Sequence, residues 1–200
     1  IPELTETIRT ALSHMPHLLD KLPQRWMDIR DELKGRPEDY ISREKNIETM
    51  LQAFELFRRA SPDSQLIVVG DGPHLGELRG QYRNEDVLFT GRLVGDDLVR
   101  AYASSDAFVF PSTTDTFGNA VIEAHACGLP AIVSDLGGPA EIVRSHGSGL
   151  VTDTRHPSAI AEAMKQLRFD DDLRETMRTG ALARAGESRW ETALDQLQIA

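Results

Sequence analysis

Cysteine is all but missing from this chain. Cys127 stands alone among 200 residues. No internal disulfide is available, and the composition fits a reducing compartment, so a cytoplasmic location is expected. Cys127 lies between Ala126 and Gly128, at the end of a helical pattern. A small packing residue is expected there, not a nucleophile. Cations are also scarce: 22 Lys and Arg stand against 32 Asp and Glu, a formal net charge of −10. A general nucleic-acid binder needs the opposite balance to meet phosphates. The two Trp and three Tyr are scattered, so they build no stacking platform for single strands. No apolar run approaches the ~20 residues of a membrane span. No stretch reads as a signal peptide, and neither repeats nor low-complexity tracts occur.

What remains is enough for one sizeable domain with a proper core. The chain opens Ile-Pro-Glu without Met, which reads as a piece of a longer protein. Residues 1–38 carry two helical patterns without a chemical constellation and read as an N-terminal helical linker; residues 39–200 read as the folded domain. Within that domain, helical and strand patterns alternate. Residues 46–60 form an amphipathic helix with Ile47, Met50, Leu51, Phe54 and Phe57 on one side. Apolar strands are expected at 65–69, 86–89, 107–110, 131–133 and 150–151. Helices are expected at 75–82, 98–104, 119–127, 159–167, 173–185 and 190–199, with one more beginning near Pro139. The strands do not alternate apolar with polar residues. That pattern predicts an α/β fold, a Rossmann-like parallel sheet with helices on both faces.

The organising stretch runs from Pro111 to Pro130. A strand feeds a polar loop, Gly118 follows, and a helix begins at Asn119. Ligands of such sheets collect at the carboxyl ends of strands. Asp115 lies in that loop and Glu123 in the first turns of the helix. The backbone N–H groups of Phe117, Gly118 and Asn119 are expected to be unpaired and suited to a phosphate or a sugar oxygen. Taken alone, Asp115 reads equally as a helix cap and Glu123 as the partner of a buried donor.

Further turns join the same edge. Gly70-Asp71-Gly72-Pro73 turns sharply after a strand, either as plain structure or as the lining of a cleft. Arg92 follows Thr90-Gly91, as a surface arginine or as a group that stacks on a base or touches a phosphate. Gly137-Gly138-Pro139 precedes a helix and permits close backbone approach to an anion. Lys45 stands beside Asn46, which is expected to cap the next helix.

These stretches carry a family resemblance. An acidic residue, Phe-Gly after it, and Glu eight positions on match Asp115, Phe117-Gly118 and Glu123. This resembles the signature of retaining GT-B glycosyltransferases of family four, with Asp in place of the usual Glu. Arg43-Glu44-Lys45-Asn46, Gly70-Asp71-Gly72-Pro73, Phe89-Thr90-Gly91 and Gly137-Gly138-Pro139-Ala140-Glu141 follow the family's other marks in order. Together they cover residues 41–193. The resemblance implies the C-terminal, nucleotide-sugar-binding half of a two-domain enzyme. One mark is missing: the family's apolar strand ending in Gly-Arg. Counting back from Lys45, Asp39 and Tyr40 fill those two positions, and Arg36-Pro37-Glu38 before them is no strand.

The resemblance implies transfer of a sugar from a nucleoside-diphosphate sugar to a saccharide or lipid-linked acceptor. Retention of configuration, no metal and no cofactor are expected. Asp115, Lys45 and Glu123 are its catalytic candidates. Lys45, Gly72, Arg92, Thr116, Phe117, Gly118, Asn119, Glu123 and Gly138 are its donor-binding candidates. Lys45 and the glycine loops hold the diphosphate, Glu123 accepts from the ribose, and Asp115 positions the donor sugar. Peripheral membrane association through a missing domain belongs to the same reading. Two rivals stand beside it: a truncated, non-catalytic nucleotide-sugar module, and a sugar-nucleotide epimerase of GT-B form. The epimerase expects a cleft histidine, and no clear one is present.

Overall fold

A computed structural model describes residues 45–82 and 85–187. The helical readings of 1–38 and 190–199, and the boundary at 38/39, lie outside the described residues. Helices and strands alternate: α1 (Ile47–Arg58), β1 (Leu66–Val69), α2 (Leu75–Gln81), β2 (Val87–Gly91), α3 (Asp96–Ala103), β3 (Phe108–Phe110), α4 (Asn119–Ala126), β4 (Ala131–Ser134), α5 (Gly138–His146), β5 (Gly149–Thr152), α6 (Pro157–Phe169) and α7 (Asp171–Glu187). Every strand pairing is parallel. Each expected element in this range is present, with ends shifted by a residue or two, as fraying ends allow.

Side chains leave the strands alternately toward two helical layers. Val109, Ile132 and Leu150 join the core built with Phe54 and Phe57 of α1 and Ile160 and Leu167 of α6. Phe108 packs with Val99 and Tyr102 of α3 and Ala124 of α4, and Phe110, Ala131 and Val133 pack with Val121 and with Val143 of α5. The aromatic pair of α1 is therefore core. With both faces covered, β4 is buried along its whole length.

Among the described residues the parallel strands fall into two groups. β1 pairs with β2, while β3, β4 and β5 form a separate three-stranded sheet. Between β1 and β3 lies a slot of about 720 Å³, lined by both strands and by Phe54, Leu98, Tyr102, Glu123 and Met164. Facing the slot, Ile67 and Val69 are 36% and 37% exposed.

Candidate functional site

The carboxyl edge of β3 and β4 gathers the central candidates. β3 ends at Phe110, and the buried Pro111 turns the chain into the loop that carries Asp115. Gly118, in left-handed conformation with φ 66°, stands at the head of α4. The backbone favours glycine there, and a Cβ would also crowd the Pro139 ring at 3.0 Å.

Asp115 is the hub of this loop. Its Oδ1 accepts the N–H groups of Phe117 at 3.2 Å and Gly118 at 2.8 Å. Its Oδ2 lies 3.0 Å from Lys45 Nζ. Burial pushes the Asp115 carboxyl upward, but the hydrogen bonds from Gly118 and Lys45 and the Lys45 charge outweigh it and hold the group below the usual carboxylate range. The expectation of unpaired amides at Phe117 and Gly118 is thus corrected: the aspartate side chain folds back and fills that nest itself.

The glycine pair before α5 meets the same loop. Gly138 N–H donates to the Asp115 carbonyl at 3.2 Å. A Cβ on Gly138 would stand 2.0 Å from the Thr116 carbonyl oxygen, and one on Gly137 2.5 Å from that of Asp115. The close approach these glycines permit is to residues 115–117. Phe117 projects outward, 75% exposed, and Thr116 is exposed beside it.

Glu123, on α4, lines the slot together with Lys45. The Tyr102 hydroxyl of α3 donates to its Oε2 at 3.2 Å. Lys45 also lies 5.7 Å from the Phe110 ring centroid, a cation over an aromatic face. Lys45, in the turn before α1, and Glu123, on α4, thus both line the slot, and Asp115 of the β3 loop pairs with the lysine.

Gly72 and Arg92 stand apart, after β1 and β2 across the slot. Asp71 Oδ1 accepts the Gly72 N–H at 2.8 Å, which closes that turn locally. Arg92 is exposed. Asn119 is the first residue of α4. Asn46 does not cap α1: its backbone is left-handed, and its amide reaches another loop. His74 stands at the head of α2, 3.5 Å from Glu77. Cys127 is inert, its thiol pushed up to about 12 by burial and the Glu123 charge.

Three contributors were not singled out from the sequence. Tyr102 orients Glu123; a helical tyrosine whose body is buried needs a partner for its hydroxyl. Thr154, after β5, is fully buried, and its hydroxyl donates to the Pro111 carbonyl at 3.0 Å. Its place at a strand's carboxyl end was the available clue. Ser112 is 1% exposed, and its hydroxyl has no hydrogen-bond partner among the described residues. Among the same residues, no group of three or more His, Cys, Asp or Glu is placed to hold a metal ion.

Comparison with known proteins bears on the family and the fold. The family model described as "Glycosyl transferases group 1" matches residues 40–184. A GDP-mannose-dependent alpha-mannosyltransferase of Corynebacterium glutamicum is 36% identical over 135 residues, 68% of this chain and 32% of that protein. Sucrose-phosphate synthase from Thermosynechococcus elongatus superposes with a TM-score of 0.69 at 28% identity, covering 80% of this chain and 43% of that one. The C-terminal domain of a glycosyl transferase group 1 protein from Francisella tularensis superposes with a TM-score of 0.67 at 19% identity, covering 74% of this chain and 82% of that domain. The chain spans about a third of the length of the curated relatives it matches. It belongs to the glycosyl transferases group 1 family and has the fold of the C-terminal half of a GT-B glycosyltransferase.

Proposed function

We propose that this chain is the donor-binding part of a retaining glycosyltransferase, which moves a sugar from a nucleoside-diphosphate sugar to a saccharide or lipid-linked acceptor held by another domain of a longer protein. The observation that carries the reading is the Lys45–Asp115 pair, 3.0 Å apart, with Lys45 and Glu123 both lining the slot. In this reading Lys45 neutralises the diphosphate as the glycosidic bond breaks and negative charge grows on the leaving oxygen. Glu123, oriented by Tyr102, accepts from the ribose hydroxyls. Asp115 positions the donor sugar. Three hydrogen bonds already occupy its carboxylate, which favours positioning over nucleophilic attack.

Transfer without a metal, in the cytoplasm and on a polysaccharide or glycolipid route, completes the proposal. Peripheral association with a membrane would come through the other domain; none of the described helices is long and apolar enough to cross one. The Corynebacterium enzyme is GDP-mannose-dependent by name and an Anabaena structure with the same fold is in complex with UDP-glucose, so the reading names no base. One second reading stands beside it: the chain spans about a third of its relatives' length, and a donor-binding domain by itself can hold a nucleotide sugar without transferring it.

Lys45→Ala tests the diphosphate role. It should weaken binding of a nucleoside diphosphate by at least ~10-fold while changing binding of the parent nucleoside little. Equal weakening of both would remove Lys45 from the diphosphate.

A further inference from the structure

Among the described residues, Asn46 is the only non-glycine with a left-handed backbone, at φ 56°. Few L-residues tolerate that region, and asparagine is one of them. Nothing about starting α1 requires such a backbone: His74 and His156 head α2 and α6 with φ −88° and −113°. The side chain shows what holds it. Asn46 Nδ2 donates to the Thr154 carbonyl at 2.5 Å, a contact between residues 108 positions apart, and Asn46 Oδ1 accepts from the Thr49 hydroxyl.

Thr154 continues the chain of contacts. It is 0% exposed, and its hydroxyl donates to the carbonyl of Pro111 at 3.0 Å. Pro111 opens the loop that carries Asp115, and Asn46 is the immediate neighbour of Lys45. One buried residue of the β5–α6 loop thus ties the turn before α1 to the loop after β3. These two segments are the ones that bear the site's cation and carboxylate. A lysine ammonium sits on four flexible bonds, so its reach is defined only if its backbone is fixed.

We propose that Asn46 and Thr154 are positioning residues, a clasp that sets Lys45 against Asp115 and presents the ammonium to the donor diphosphate. The presentation half rests on the donor-binding reading of Lys45 given above; the clasp itself does not. A left-handed residue held by two side-chain hydrogen bonds at such a place is strain retained by its surroundings. Thr154 acts through its hydroxyl as well as its carbonyl, so threonine and serine serve there and valine does not.

Two measurements on the whole chain separate the parts. The first needs no ligand: titration of the Asp115 carboxyl, followed by NMR. In Asn46→Gly, which keeps the left-handed backbone but loses the amide, and in Thr154→Val, Lys45 drifts away and the Asp115 midpoint rises toward the ordinary carboxylate range. Thr154→Ser restores the parent value. Unchanged Asp115 titration in both folded variants overturns the clasp. The second is titration with UDP- and GDP-sugars. Whichever donor the parent binds should bind about 3–10-fold weaker to Asn46→Gly and to Thr154→Val. Adding Asn46→Gly to Lys45→Ala should cost nothing further, because both act through one cation. Full additivity of the two overturns positioning through Lys45. If the parent binds no donor, the donor reading fails, and the Asp115 titration still decides the clasp.

Discussion

Lys45 and Asp115 are 70 positions apart in sequence, yet Lys45 Nζ lies 3.0 Å from Asp115 Oδ2. The same carboxylate caps the Phe117 and Gly118 amides through its other oxygen. Asp115 is thus a structural cap and half of an ion pair at once. The two roles separate by substitution. Asp115→Ala should lower unfolding free energy by about 1–2 kcal/mol, the range for losing a capping side chain. Asp115→Asn keeps an acceptor for both amides and should lose less, since a partly exposed ion pair contributes little. Denaturant unfolding checks both. Equal losses would mean that the ion pair, not the cap, carries the stability.

Glu123 tests the ribose assignment. Glu123→Ala should weaken nucleotide binding by about 1–3 kcal/mol, the scale for a charged hydrogen-bond partner. Tyr102→Phe removes only the hydroxyl that orients Glu123 and should weaken it less. Calorimetry on both variants reads the difference. Wild-type affinity in Glu123→Ala would sink the ribose role.

His125 gives the fold a pH limit. It is 0% exposed on α4, and burial, with the Arg184 and His146 charges nearby, pushes its pKa from 6.5 to about 4. The unfolded chain therefore takes up a proton at a higher pH than the native one. Stability is full above about pH 6.5 and falls as pH drops through 6.5 toward 4, by roughly 3 kcal/mol in total. Asp115 acts in the same direction at lower pH, because its depressed carboxyl must be protonated on unfolding. Unfolding curves at pH 7 and pH 4.5 should show the loss, and His125→Leu should shrink it. An unchanged slope in that variant would place the effect elsewhere.

Among the described residues no strand lies between β1 and β3, and hydrogen exchange tests that gap. Alternate amides of a parallel strand point to opposite edges. Leu66 N–H goes to Asp86 and Phe108 N–H to Pro130, so Ile67 and Val109 turn theirs to the slot. Hydrogen exchange at those two should run at least ~10-fold faster than at Ile132, between β3 and β5. Equal protection would mean that a further strand fills the slot.

Much of this was legible in the sequence. Continuous apolar strands, such as residues 131–133, and the helical spacing of Met50, Phe54 and Phe57 placed the elements, because burial on two faces leaves a clear pattern. The order of glycine turns, with Asp115 and Glu123, pointed to the candidate site. Which way side chains turned was not legible. That Asp115 fills its own amide nest depends on a carboxylate short enough to fold back, and that Gly138 approaches Thr116 depends on how α5 docks. Asn46 reads as an ordinary cap in sequence. Only the fold brings Thr154 beside it.

The measurement that tests the central claim most directly is calorimetric titration of this chain with UDP, GDP and ADP and their glucose, mannose and N-acetylglucosamine forms. The account predicts saturable binding to one base, tightened by its sugar and weakened by Lys45→Ala. No binding across the whole panel by the folded chain would contradict a donor site formed by these residues.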